Sequence, residues 1–272
     1  MSKQILLIND IPGYGKVALS AMVPVLTHMG HNLYNLPTAL VSNTLDYGKF
    51  NILDTTEYMK KTISVWKELG FSFDVISTGF IVSDEQARLV VEFCQEHAKK
   101  GTPVFVDPIM GDNGSLYNGI TEETISHMRK LVRIADCVLP NYTEAAYLAG
   151  VPYVAEGQSK ESLFCIVDKL REIGAKSVVI TSAKMGKQDV VVGYDHTMDE
   201  YFILPFEAVP VSFPGTGDLF SAIFLGKVLD GKGLQPSTKE AMNIVKEMIA
   251  LNQGNEDKFK GIPIETYLHV IK

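Results

Sequence analysis

With 272 residues, 46% of them hydrophobic and 21% charged, the chain has the apolar material for a sizeable core and the balance of a soluble protein. Its 25 Lys+Arg against 32 Asp+Glu give a formal charge of -7, a field that repels polyanions and excludes nucleic acid as the main partner. No apolar run approaches the ~20 residues of a membrane span, no basic-then-apolar leader opens the chain, and Cys94, Cys137 and Cys165 show neither metal-ligand nor C-x-x-C spacing, so a cytoplasmic protein with three buried, reduced thiols is expected.

The run 4–8 (QILLI) predicts a first strand, followed by strands at 34–41, 73–78, 103–107, 136–139, 177–182, 188–194 and 200–206. Helical periodicity falls between most of them, at 16–29, 56–69, 84–100, 121–133, 142–149 and 159–173, and the chain from about 215 onward reads as mainly helical. Ser83-Asp84-Glu85-Gln86 has the form of a capping box and Gly101 closes that helix, while Asp54-Thr55-Thr56-Glu57 opens the preceding one in a similar way. The alternation predicts an α/β fold as one domain over 1–272: a mostly parallel central sheet with helices on both faces. A small antiparallel extension is expected where 188–194 and 200–206 have no helix between them.

Ligands of open parallel sheets gather beyond the carboxyl ends of the strands. Those ends read Asn9-Asp10, Ser42-Asn43, Thr78-Gly79-Phe80, Asp107, Pro140-Asn141 and Thr181-Ser182, a rim rich in oxygen-bearing side chains. The stretch NDIPGYGKVALS at 9–20 looks like a phosphate loop but fails as one. Gly13 lies two residues before Gly15, Lys16 is followed by Val17 rather than Ser or Thr, and no third glycine completes a dinucleotide fingerprint. A nicotinamide oxidoreductase is disfavoured for the same reason.

A better anion site is Pro214-Gly215-Thr216-Gly217-Asp218, which leads into an apolar helix. Two glycines at a helix entrance leave backbone amides unobstructed where the helix dipole is positive. A carboxylate at Asp218 suits a hydroxyl substrate: it would hold and finally deprotonate the attacking alcohol while the amides of 215–217 neutralise charge on a moving phosphoryl group. Taken alone, G-x-G-D is equally a helix cap with an acid in the first turn.

These residues resemble the C-terminal signature of the ribokinase-like superfamily of small-molecule kinases. Val106-Asp107-Pro108-Ile109-Met110-Gly111-Asp112 is similar to the D-P-V-M-G-D segment of pyridoxal and pyridoxamine kinases, Pro140-Asn141-Tyr142-Thr143-Glu144-Ala145 to their P-N-x-x-E-A segment, and Ser42-Asn43 with Tyr47-Gly48 to S-N-x-x-x-Y-G. The resemblance spans nearly the whole chain. It implies an ATP-dependent kinase acting on the 5′-hydroxymethyl group of a B6 vitamer (pyridoxal, pyridoxamine or pyridoxine), with Mg²⁺, a monovalent cation such as K⁺, and a homodimer joined at the sheet edge opposite the site.

Residue by residue, the resemblance makes Asp218 the base and Gly215, Thr216 and Gly217 the anion hole. It places Asp107, Asp112 and Glu144 at the metal, and Asn141, Glu144, Thr181, Ser182 and Lys184 at ATP, although Asp112-Asn113-Gly114 is equally a plain turn. Substrate contacts fall to Asp10, Val17, Ser42, Tyr47, Phe80 and Tyr117, with 42–53 as a flap. Asp10 stands where many relatives have a serine on the pyridine ring, and a carboxylate there would accept from a ring nitrogen or an amine. Leu45 stands where they commonly have threonine, and Phe80 either stacks on the ring or joins the core. The alternatives are a hydroxymethylpyrimidine kinase of the same superfamily and a non-catalytic B6-binding protein.

Overall fold

Alternation in the first strand sets the architecture. In the computed structural model, which describes residues 2–272, β1 (Gln4–Pro12) turns Leu6 and Ile8 into one apolar cluster and Ile5 and Leu7 into another, all four fully buried. A strand buried on both faces belongs inside a sheet covered on both sides. The chain continues through α1 (Ala18–His28), β2 (Asn32–Val41), β3 (Ile52–Asp54), α2 (Thr56–Leu69), β4 (Val75–Thr78), α3 (Asp84–Ala98), β5 (Val104–Val106), β6 (Gly111–Asp112) and β7 (Ser115–Leu116). It then runs through α4 (Glu122–Val132), β8 (Cys137–Val138), α5 (Tyr142–Ala149), α6 (Lys160–Ile173), β9 (Ser177–Met185), β10 (Gln188–Asp195), β11 (Glu200–Phe206), α7 (Thr216–Leu229), α8 (Leu234–Leu251) and α9 (Ile264–Tyr267).

Nine strands form one sheet in the order β11-β10-β9-β8-β5-β4-β1-β2-β3. The strands from β2 to β9 in that order are parallel, while β3 at one edge and β10 and β11 at the other run antiparallel to their neighbours. Strand order reverses at β1, with β2 on one side and β4 on the other, and such a switch opens a crevice at the carboxyl ends. One face is covered by α2 to α6, through residues such as Met59, Phe93, Leu131, Leu148 and Leu170; the other by α1, α7 and α8, through Leu26, Phe224 and Met248. α7 is buried without a break from Asp218 to Lys227, as a helix apolar on all sides must be. Its one deeply buried cation, Lys227, is held by the Lys272 carbonyl and by Glu240.

Several expectations need correction. β3 and the β6–β7 hairpin fall in stretches read as flap and loop. The hairpin turns on Asn113 and Gly114, both at positive φ, and that Asn-Gly pair was the available signal. Cys94 and Cys137 are buried but Cys165 is exposed, because it lies on the outward side of α6. The capping box of α3 is half made: Ser83 accepts from the Gln86 amide at 3.2 Å, but the Gln86 carboxamide accepts from Val82 and donates to the Thr38 carbonyl at 2.7 Å, tying the helix to β2. Among the described residues no helix is long and apolar enough to cross a membrane.

Candidate active site

A cavity of about 340 Å³ opens beyond the carboxyl ends of the strands, where the switch point predicts it. Asp10 reaches it from β1, Phe80 from the turn after β4, Asp107 from the end of β5, Asn141 from the turn after β8, and Thr181 and Ser182 from β9. The segment 212–218 closes one wall, and flap residues 43–46 close another.

The entrance of α7 is shaped by close approach. Gly215 has φ +83, and a Cβ there would stand 2.0 Å from the Lys16 carbonyl oxygen, so only glycine lets the two helix entrances meet. At Gly217 a Cβ would meet nothing within 4 Å, because that residue faces open space. The Leu219 amide is the first to bond back along the turn, to the Gly215 carbonyl at 2.9 Å, which leaves the amides before it without helical partners.

Asp218 lies in this first turn, only 9% exposed, and its Oδ1 has no hydrogen-bond partner. Burial pushes its pKa up to about 6, against the lowering effect of the Ala18 amide and the Asn9 carboxamide beside it. Ala18 adopts φ +47, a conformation costly for a residue with a Cβ, where its N–H lies against Asp218. Asn9, which the sequence places on the rim without a role of its own, organises this corner. Its Oδ1 accepts from the amides of Asp10 at 3.0 Å and Phe80 at 2.8 Å, so one carboxamide fixes both while its other end faces the acid.

At the other end, Asp107 accepts from the Ser221 hydroxyl at 2.7 Å, and burial followed by the charge of Asp218 pushes it up to about 7. Glu144 is 3% exposed and accepts from the amides of Met110 at 3.0 Å and Asn141 at 2.9 Å. Asn141 accepts from the Glu144 amide and donates to the Gly111 carbonyl at 2.8 Å, a reciprocal cap on α5 that also clamps the β6–β7 hairpin. Burial and then the Asp107 charge hold Glu144 well above the usual carboxylate range.

Asp112 accepts from the Asn113 amide at 2.8 Å within the hairpin turn, and burial raises it as well. Tyr117 is 39% exposed overall, yet its hydroxyl sits among these acids, and burial, then Glu144 and Asp112, raises its pKa. Among the described residues no three His, Cys, Asp or Glu side chains are grouped to hold a metal unaided. The donor set nevertheless fits Mg²⁺, which takes one or two carboxylates and completes its shell with water and phosphate oxygens. Acids raised by burial, with a neighbouring acid's charge adding to it at Asp107 and Glu144, suit a cation.

At the acceptor end Val17 and Phe80 line the cavity, and Phe80 also packs with Ala39 and Val41, so it serves both wall and core. Ser42, Tyr47 and Lys184 do not line it. Ser42 accepts from the Asn51 amide at 2.8 Å and so bridges the base of the flap, while Lys184 is exposed on β9, paired in register with Asp189.

Tyr47 donates to Asp257 at 2.6 Å and packs edge-on against Phe259, whose own carbonyl accepts from the Thr44 hydroxyl at 2.7 Å. Phe259, about two hundred residues from the flap, is therefore part of the cavity wall. Nothing in its local sequence marks it.

The model of the phosphomethylpyrimidine kinase family matches residues 13–261. Among solved structures, a "putative phosphomethylpyrimidine kinase" from Bacteroides thetaiotaomicron, crystallised with pyridoxal, is 33% identical with a TM-score of 0.94, over 100% of this chain and 96% of its own. Pyridoxal kinase from Lactobacillus plantarum is 27% identical with a TM-score of 0.86, over 99% of this chain and 96% of its own. Among curated sequences, pyridoxal kinase PdxY of Paraburkholderia xenovorans is 26% identical over 265 residues, 92% of this chain and 88% of that one.

Proposed function

The chain belongs to the phosphomethylpyrimidine kinase family, and from that premise we propose that it transfers the terminal phosphoryl group of ATP to the 5′-hydroxymethyl group of a B6 vitamer. The observation that carries this reading is a buried, partly unpartnered carboxylate, Asp218, set in the first turn of a helix whose leading amides face an acid-lined cavity.

With a pKa of about 6, Asp218 is ionised at neutral pH and accepts a hydrogen bond from the substrate hydroxyl. It holds that oxygen in line and takes the proton late, as a loose transition state allows. The amides of 215–217 would neutralise the charge that develops on the transferred group, and such preorganised donors supply most of the rate in phosphoryl transfer. Val17 and Phe80 hold the ring, Thr181 and Ser182 border the phosphates, and Tyr117 closes over them. Adenine belongs along the segment ending at Phe213, which lines the cavity. Lys184 has no part in this arrangement.

Asp107 and Glu144 would hold Mg²⁺, with Asp112 within the same acid group; the ion supplies charge neutralisation along the polyphosphate. A K⁺ requirement and a homodimer belong to the same reading and rest on the resemblance alone, whereas a cytoplasmic location rests on the three free cysteines.

Release of ADP with pyridoxal, pyridoxamine, pyridoxine and hydroxymethylpyrimidine, each tested with and without Mg²⁺, tests the proposal. Turnover of at least one vitamer is expected; no ADP with any of them defeats it. The family's name favours one rival, the pyrimidine alcohol, and a kcat/KM for that compound well above all three vitamers would select it.

A further inference from the structure

The three acids at the nucleotide end come from three places: Asp107 from the end of β5, Glu144 from α5, and Asp112 from the β6–β7 hairpin. The first two ride on a central strand and a helix. Asp112 has no such support. Its hairpin pairs only Gly111 with Leu116 and Asp112 with Ser115, and so short a two-stranded ribbon is marginal at best in water. A grip from outside the hairpin must keep Asp112 at the cavity it lines.

That grip comes from α5, which takes hold of the hairpin twice. At the root, Glu144 accepts from the Met110 amide at 3.0 Å and Asn141 donates to the Gly111 carbonyl at 2.8 Å. At the tip, Thr143 accepts from the Gly114 amide at 2.9 Å, and the Tyr147 hydroxyl donates to the Gly114 carbonyl at 3.3 Å. Thr143 and Tyr147 stand one helical turn apart on the same side of α5, so together they meet a single residue of the turn. Gly114 has φ +81, and a Cβ there would stand 2.8 Å from the Tyr153 ring, which packs over the tip and against Tyr142 at 5.2 Å. Thr143 is only 2% exposed, and neither it nor Tyr147 lines the cavity. Both act on the turn that carries Asp112, whose Oδ1 accepts from the Asn113 amide at 2.8 Å.

We propose that Thr143 and Tyr147 are positioning residues for Asp112: by fixing both backbone polar groups of Gly114 they hold the hairpin, and with it the Asp112 carboxylate, in the acid group that takes the divalent cation. α5 then carries Glu144 and sets Asp112 as one body, so the spacing of the two acids is built before a cation arrives. This rests on the kinase reading for the cation's place beside the nucleotide, and adds which residues outside the cavity set its affinity. Outer partners that orient a metal's ligands commonly change affinity by about 10- to 100-fold when they are lost.

The test uses Thr143→Val, which keeps the side chain's shape and loses the acceptor, Thr143→Ser, which keeps it, and Tyr147→Phe. Asp112→Asn is made alone and together with Thr143→Val. Calorimetry gives the Kd of ADP with and without Mg²⁺, and turnover gives the acceptor KM. In Thr143→Val the Kd of Mg-ADP rises about tenfold, while metal-free ADP and the acceptor KM stay within about twofold of the wild type. Tyr147→Phe acts in the same sense by about threefold, as the loss of one longer neutral hydrogen bond would, and Thr143→Ser restores the wild-type value. With Asp112→Asn already in place, Thr143→Val adds less than about twofold, because the residue it acts through is gone.

A Mg-ADP Kd that does not move in Thr143→Val, whatever Tm does, overturns the inference and leaves the kinase reading intact. So does a loss shared equally by metal-free ADP and the acceptor, or a full effect of Thr143→Val on top of Asp112→Asn. A wild type that binds no ADP under either condition and turns over no acceptor defeats that reading and this inference with it.

Discussion

Two helix entrances meet in this molecule, those of α1 and α7, and they look alike in sequence: a glycine pair, then an apolar helix. They do opposite things. At α1 the amides are taken by the chain itself, Gly13 to the Val41 carbonyl at 2.7 Å and Lys16 to the Lys260 carbonyl at 2.9 Å. Gly15, at φ +121, is there because a Cβ would stand 2.3 Å from the Thr44 methyl. Lys16 pairs with Glu265. At α7 the leading amides are open, Gly217 faces space, and an acid waits in the first turn. The first entrance buttresses the second, through the Lys16 carbonyl on Gly215 and the Ala18 amide on Asp218. Glycines at a helix start mark an anion site only when tertiary contacts leave the amides free.

The sharpest way to break this contrast is to remove one charged group from each entrance. Asp218→Asn should lower kcat by about 10³-fold, within the range of a lost general base, while calorimetry still detects acceptor binding. Lys16→Ala should change kcat/KM by no more than about threefold, since Nζ meets only an exposed glutamate and surface pairs contribute little. Equal losses in the two variants would erase the distinction.

Glycine replacement sharpens it further. Gly215→Ala puts a Cβ 2.0 Å from a backbone oxygen at φ +83, and should cost about 2–4 kcal/mol, read as a fall in Tm of roughly 5–15 °C. Gly217→Ala should leave Tm within about 2 °C but lower kcat/KM about tenfold, because its methyl projects where the phosphoryl group is held.

The acids beside α7 give a pH signature that α1 lacks. Asp10 and Asp218 are raised from 3.8, to about 7 and about 6, so the folded ligand-free protein keeps protons that the unfolded chain releases. Between pH 4 and 7 the unfolded state binds fewer protons, and these groups' contribution to stability falls as pH rises through that window. Asp10→Asn should therefore gain on the wild type progressively from about pH 4 to pH 7, by up to about 4 kcal/mol. Thermal unfolding across that range checks it, and parallel curves for the two proteins would count against an Asp10 raised by burial.

The smallest effect belongs to the clasp that α1's entrance shares with the flap. Tyr47→Phe removes the bond to Asp257 and should raise the acceptor KM a few-fold with the ATP KM unchanged, consistent with about 1 kcal/mol for one exposed hydrogen bond.

Much of this was legible in the linear chain because it is carried by local rules. The unbroken apolar run 5–8 announces a strand covered on both faces, and Pro214 to Asp218 followed by seven apolar or small residues announces a buried helix with an acid at its mouth. Phe259 and Asp257 were beyond such rules, as was the half-made box at Ser83, where Gln86 turns away to the Thr38 carbonyl. Asn141 and Glu144 could be singled out as site residues, but not that each already holds two partners of the fold. Periodicity, caps and turn chemistry act over a few residues and can be read in order. Which amides remain unbonded, which acids repel one another and which tail closes the cavity depend on segments brought together from opposite ends of the chain, and only folding decides that.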